Sequence, residues 1–177
     1  DRLEALFTVA LALGLRQSET LGLRWSDVNV DAGTLSIQRS LQRIHGTFTF
    51  FPPKTARSHR TVSMPAPVAA ALHQHMKRQL EERMAMGDAW EGDAWGALVF
   101  TNEMGQPLTG FHVSRRFGKL LRLAGLPPMR YHDLRHGAAS LMAAQGVPAR
   151  VAMEILGHAQ ISTTMNIYTH VALELQK

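Results

Sequence analysis

In the run YHDLRH, His132 and Arg135 stand three residues apart. On a helix they project from one face a turn apart, so a single phosphate can touch both. A guanidinium grips two non-bridging oxygens in a fork, and an imidazole takes or gives a proton near neutral pH. A surface histidine beside a surface arginine has the same spacing, so the pair alone does not decide. His158 follows Gly157, where the end of a helix would let its ring turn into a cleft. Ten residues on stands Tyr168, one of two tyrosines. Its helical neighbours Met165, Val171, Ala172 and Leu175 are also what a core tyrosine would have. A phenol ionises near pH ~10, so it is a weak nucleophile unless cations or a base take up its proton. Arg16 sits in the apolar run LGLRQSE, where a charge needs a partner, and Glu19 is three residues away. Lys54 follows Pro52-Pro53, a turn that would hold its ammonium outward, though a solvated turn lysine looks the same.

Composition narrows the chemistry. The 177 residues include no cysteine, which removes thiol nucleophiles, disulfides and cysteine-based zinc sites. A nucleophile must then be a Ser, Thr, Tyr, Lys or carboxylate. The longest apolar run, Phe7 to Leu15, is about half of the roughly 20 residues that a membrane span needs, and no signal stretch opens the chain. A soluble intracellular protein of one domain is expected. The chain opens at Asp1 without an initiator Met, as a fragment of a longer protein would. The net charge of +5 is unevenly laid out. Ala32 to Leu80 holds no acid but seven bases, and Met104 to Met153 holds seven bases against Asp133 alone. Two basic blocks flanking an acidic one suggest a positive face for a polyanion, with chance clustering on a solvated surface as the alternative.

Elements must position these residues. Leu3, Leu6, Phe7, Ala10, Leu11 and Leu13 recur at helical spacing, and Gly14 stops that helix. Ser18 reads as the N-cap of a short second helix. Between Gly33 and Pro65 the pattern predicts two or three short antiparallel strands, with a turn at His45-Gly46. A helix follows through Val68, Leu72, Met76 and Leu80, then a loop from Gly87 to Gly96. Thr109 caps a helix with Val113, Phe117, Leu120 and Ala124 on one face and Arg115, Lys119 and Arg122 on the other. Further helices are expected from about Tyr131 to Ala144, from Pro148 to Leu156 with Gly157 at its end, and from a Ser162 cap onward. The fold class is therefore α+β, mainly helical with a small antiparallel β-sheet.

Taken in order, these residues resemble the catalytic domain of the tyrosine recombinase family, the phage integrases and their chromosomal relatives. ALGLRQSETLGLRW is similar to the family's first arginine box and supplies Arg16 with its supporting Glu19. PPKTARSHRTVSMP is similar to the hairpin that carries the catalytic lysine, Lys54. YHDLRHGAAS matches the box with His132 and Arg135, and LGHAQISTTMNIYTH matches the closing box with His158 and the nucleophile Tyr168. The resemblance covers essentially the whole chain, and no catalytic position departs from the pattern. The resemblance implies amino-terminal core-binding and arm-binding domains ahead of the catalytic domain, which are expected to be absent from this fragment, so that residues 1–177 correspond to the catalytic domain alone.

The resemblance implies site-specific recombination of double-stranded DNA through a 3′-phosphotyrosyl intermediate, with no metal or other cofactor. It implies a homotetramer on the recombination site for the full-length protein, whereas the fragment alone is compatible with a monomer. It also implies a cytoplasmic protein of a bacterium, or of a phage acting in its host, with no membrane partner. Arg57, Arg60, Arg115, Arg116, Lys119, Arg122 and Arg130 are the candidate DNA contacts. Two alternatives stay open on the sequence. VPARVAMEILGHAQISTTMNIY also fits a non-catalytic helix-turn-helix DNA-binding module, although no Lys or Arg lies between Val151 and Gln176 to read bases. A nuclease holding a metal on His132, His136 and His158, with Asp133 or His170, is the other.

Overall fold

The computed structural model describes residues 1–52 and 59–175. Its centre is α1 (Glu4–Leu13), in which Leu6, Val9 and Ala10 have no exposed surface. A helix apolar on most of its circumference has to be covered on several sides. Here α3 (Ala66–Met86) and α5 (Asp133–Ala144) cover it. Phe7 packs on Phe117 and Tyr131, with ring centroids 5.3 and 6.3 Å away. Gly14 ends the helix in the left-handed region, at φ 62°, as its position in the sequence predicts.

The short helix α2 (Gln17–Leu21) follows at once, and its start corrects the sequence expectation. Arg16, not Ser18, occupies the cap position, in extended backbone at φ −65° and ψ 148°. Glu19, three residues on, accepts the Arg16 backbone N–H at 3.0 Å and so caps the helix from inside. The strands are all antiparallel, as expected, but they divide into two sheets. β1 (Val28–Asn29), β2 (Thr34–Ile37) and β5 (Arg60–Ser63) form one, in the order β1-β2-β5 with Leu35 opposite Val62. β3 (Ser40–Ile44) and β4 (Thr47–Phe51) form a separate ribbon closed by His45 and Gly46, at φ 47° and 88°. Positive φ at both central residues is the two-residue hairpin turn that a right-handed strand twist favours.

After Pro65, α3 runs for 21 residues and buries two polar side chains, His75 and Gln79. Both are satisfied by the segment that crosses below them. Gln79 donates to the Leu98 and Val99 carbonyls and accepts from the Trp25 indole N–H at 2.6 Å. Nε2 of His75 lies 2.7 Å from the Val99 carbonyl, and Nδ1 lies 2.7 Å from an Arg78 Nη2 that can only donate. The ring is therefore neutral with its proton on Nε2.

Thr109 caps α4 (Gly110–Leu123) by accepting the His112 N–H at 3.1 Å. Its buried face is Val113, Phe117 and Leu121, so Leu121 takes the place expected of Leu120 and Ala124. α5 is followed by α6 (Ala149–Leu156) and by α7 (Ile161–Leu175), which rests on both. α7 begins at Ile161, so Ser162 lies inside its first turn instead of capping it. Among the described residues no helix is long and apolar enough to cross a membrane.

Burial is the main cause that holds the His75 imidazole below its ordinary pKa; the Val99 carbonyl opposes it, and repulsion from Arg78 adds to it. The unfolded chain then binds more protons than the fold once the pH drops below about 6.5. Stability should be flat above that pH and decline as the pH falls further toward the folded-state value. Urea midpoints measured at pH 7.5 and pH 5 check this, and equal midpoints would contradict it.

Candidate active site

Three chain segments cross at two glycines. Gly14 ends α1, and a β-carbon there would lie 2.3 Å from Leu156 Cδ2. Gly157 ends α6 at φ 65°, and a β-carbon there would lie 2.8 Å from the Arg60 guanidinium. The missing side chains let the end of α6 approach both the α1–α2 junction and β5.

Into this crossing come three guanidiniums and one carboxylate. Glu19 is 7% exposed. Its Oε1 accepts Arg16 Nη1 at 2.8 Å, and its Oε2 accepts Arg60 Nη2 at 3.0 Å. Burial alone would raise the Glu19 pKa, but the hydrogen bond and charge of Arg60, helped by Arg16, outweigh it and hold the carboxyl below its usual range. Arg16 reaches on to the Gly157 carbonyl at 3.2 Å, and Arg60 to the Ile155 carbonyl at 2.7 Å. Both cations thus sit at the carbonyl end of α6, where the helix field favours positive charge.

Arg135 completes the cluster from the first turn of α5. Its Nη1 donates to the Gly14 carbonyl at 2.7 Å, whereas its buried Nη2 has no hydrogen-bond partner among the described residues. Burial first, then repulsion from Arg16, pulls its pKa down to about 9. His158 lies beside it, and its pKa is lowered to about 4 by burial and then by Arg135 and Arg16. The ring is neutral at pH 7, with Nδ1 2.9 Å from the hydroxyl of Thr164. Among the described residues three guanidiniums face one carboxylate here, a surplus of positive charge. That surplus and the orphaned Nη2 suit a bound anion with several acceptor oxygens.

His132 immediately precedes α5, exposed, with His136 edge-on to it at 5.2 Å. Partial burial, then His136 and Arg135, lower its pKa, so at pH 7 it can accept a proton. A cleft of about 390 Å³ runs from Arg16 and Gln17 past Thr109 and Gly110 to His132, walled on one side by Gln42, Arg43 and Phe48 of the ribbon.

Other expected residues lie elsewhere. Lys54 and Arg57 fall outside the described residues. Tyr168 is not at the cluster: its hydroxyl donates to the Val147 carbonyl at 2.8 Å, beyond the far end of α5. Arg135 and Gln145, near the two ends of that helix, are ten residues apart, or about 15 Å along its axis. Burial raises the Tyr168 pKa, opposite to the direction an activated nucleophile needs. The other tyrosine, Tyr131, is a core residue that donates to Thr20 and is pushed up to about 12 by burial.

Arg60 corrects its expected role as a DNA contact, because its side chain is 7% exposed and engaged with Glu19. Strand alternation was the available signal, since Arg60 shares a face with the buried Val62. Arg115, Lys119 and Arg122 form an exposed stripe on α4. Arg116 is instead held by the Asp1 carboxylate, and the exposed Arg130 pairs with Asp133 at 2.9 Å. Thr164, fully buried, drew no notice in the sequence.

The geometry also bears on the alternatives. α6 and α7 do form a helix pair, but Thr164 and Tyr168 of α7 face the protein interior. No group of three or more His, Asp or Glu side chains able to hold a metal ion occurs among the described residues.

Removing the charge of Glu19 leaves two guanidiniums facing each other with little water. Glu19→Gln is expected to cost on the order of 3 kcal/mol in urea unfolding. Breaking the exposed Arg150–Glu154 pair by Arg150→Ala should leave stability essentially unchanged. Similar losses in the two variants would refute the central place of the carboxylate.

The family model described as "Phage integrase family" matches residues 2–174. A tyrosine recombinase XerC-like protein of Caldanaerobacter subterraneus subsp. tengcongensis is 37% identical over 96% of this chain and 46% of its own length. The ICEBs1 integrase of Bacillus subtilis is 29% identical over 98% of this chain and 46% of its own. The chain thus spans just under half the length of these relatives. Among solved structures, the Tn1549 transposon integrase in complex with transposon right-end DNA superposes with a TM-score of 0.82. It is 24% identical and covers 94% of this chain and 54% of its own, a likeness of fold. XerA recombinase, at 25% identity and a TM-score of 0.73, covers 98% of this chain and 56% of its own. With the fold, the arginine cluster and the matched family model in agreement, the chain belongs to the phage integrase family.

Proposed function

We propose that this chain is the catalytic domain of a site-specific tyrosine recombinase that cuts and rejoins double-stranded DNA without hydrolysis. The observation that carries the reading is the convergence of Arg16, Arg135 and His158 on one spot with surplus positive charge and a guanidinium N–H that finds no acceptor among the described residues. In the reaction the Tyr168 oxygen attacks a DNA phosphorus, an Oη–P bond forms, and the P–O5′ bond breaks. His132 takes the phenolic proton, and Lys54 supplies a proton to the departing 5′ oxygen. Arg16 and Arg135 neutralise the charge that builds on the non-bridging oxygens, and His158 donates a hydrogen bond to one of them. A 5′-hydroxyl from a partner strand reverses the steps to rejoin. For attack, Tyr168 must leave the Val147 carbonyl and approach the arginines.

The full protein is proposed to act as a homotetramer on its recombination site, in the cytoplasm of a bacterium or, as a phage protein, of its host. Arg115, Lys119 and Arg122 would hold the phosphate backbone, contacts that position the protein without specifying a sequence.

In the full-length protein on a nicked cognate site, Tyr168→Phe should abolish the denaturant-stable protein–DNA adduct; an adduct that persists in the variant rules out the nucleophile. For duplex binding, log affinity should fall with log salt at about −0.9 per phosphate neutralised. Arg115→Ala with Lys119→Ala should flatten that slope, and an unchanged slope would move the DNA face away from α4.

A further inference from the structure

We infer that Thr164 is a positioning residue for His158: its hydroxyl donates to Nδ1 and so fixes the imidazole proton on Nε2, the nitrogen available to an anion at the arginine cluster. The consequence for catalysis rests on the recombinase function proposed above, whereas the tautomer does not.

The assignment follows from what helical threonines do with their hydroxyl protons. Thr8, Thr20 and Thr169 each donate to the carbonyl four residues back, at 2.9, 3.1 and 2.9 Å. Thr164 makes no such bond, and the side chain has no exposed surface. A buried hydroxyl that cannot reach water or a carbonyl must spend its proton on the acceptor it has. That acceptor is His158 Nδ1, 2.9 Å away. A ring that accepts at Nδ1 and is neutral carries its proton on Nε2.

The choice of tautomer is not trivial at this site. Arg135, Arg16, His136 and Arg60 all bear on the imidazole, and their positive potential favours a lone pair over an N–H on any nitrogen turned toward them. Left to that field, the ring would put its proton on Nδ1 and offer the cluster a lone pair, which repels a phosphate oxygen. The Thr164 hydroxyl opposes this by presenting a donor to Nδ1. Its place in the first turn of α7, one turn before Tyr168, makes the orientation of His158 depend on the seating of the helix that carries the phenol.

The test is ¹⁵N NMR of the histidine rings in this 177-residue chain at pH 7, with the His158 signals identified by their loss in His158→Gln. The wild type should show Nε2 protonated and Nδ1 at the shift of a hydrogen-bonded acceptor. Thr164→Ser should keep this pattern. Thr164→Val, nearly isosteric, should move Nδ1 to the shift of a free lone pair or move the proton to Nδ1. A protonated Nδ1 in the wild type, or an unchanged His158 spectrum in Thr164→Val, overturns the inference. Should the valine variant fail to fold, the wild-type and serine spectra still decide it. On a nicked cognate duplex, Thr164→Val in the full-length protein should slow adduct formation about tenfold relative to the wild type, and Thr164→Ser should stay near the wild-type rate. Absence of any adduct in the wild type would count against the recombinase reading and leave the tautomer to be judged by the spectra.

Discussion

A carboxylate removed from water governs the arrangement of the other charges in this domain. Glu19 is buried where an isolated ion would cost several kcal/mol, so it requires cations, and it draws them from well-separated parts of the chain. Arg16 comes from the cap of its own helix and Arg60 from a strand 41 residues later. Each then uses its remaining N–H groups on carbonyls at the end of α6. One ionised side chain therefore joins α2, β5 and α6 at a point. The glycines at 14 and 157 are the steric condition for that junction, because a β-carbon at either would occupy the space of Leu156 or of Arg60.

The junction leaves an imbalance that has the character of a binding site. A purely structural cluster would be expected to pair every buried charge. Here Arg135 donates to a backbone carbonyl and keeps a buried N–H without an acceptor among the described residues, and its pKa is lowered by burial and by Arg16. His158 is held neutral by burial and by the same arginines. Both departures share a direction, since each marks a place where positive charge is disfavoured until an anion arrives. Under the proposed function a phosphodiester, singly charged with two free oxygens, relieves both.

What was legible in the sequence is what local chemistry decides. Gly14 and Gly157 as helix stops, Thr109 as a cap and His45-Gly46 as a turn all depend on neighbours within a few residues, and the structure has each of them. The departures come from distant partners. Ser18 is a good capping residue by type, but pairing with Arg60 and Arg16 fixes Glu19 where it caps from the N3 position instead. Arg60 read as one more base in a basic block because its carboxylate partner lies 41 residues away. Thr164 carried no signal at all, since a threonine in a helix acquires meaning only from what its hydroxyl meets. The division of the strands into a sheet and a ribbon likewise follows from tertiary contacts, with Leu41 of β3 buried against α2.

The same comparison of strengths orders the parts of the candidate site by how firmly they are held. Arg16, Glu19, Arg60 and Arg135 are tied by charged hydrogen bonds in a setting where losing one partner strands another, an interaction worth several kcal/mol. Tyr168 is tied by one neutral hydrogen bond to Val147 at a half-buried position, worth about 1 kcal/mol net, plus the packing of its ring. Thr164, one turn earlier on the same helix, is fully buried and bonded to His158. The firm end of α7 is therefore the end that touches His158, and the loosely held position is that of the phenol. Under the proposed function this is the order the chemistry needs: the anion site is set before DNA arrives, and the group that has to travel is the one whose release costs least.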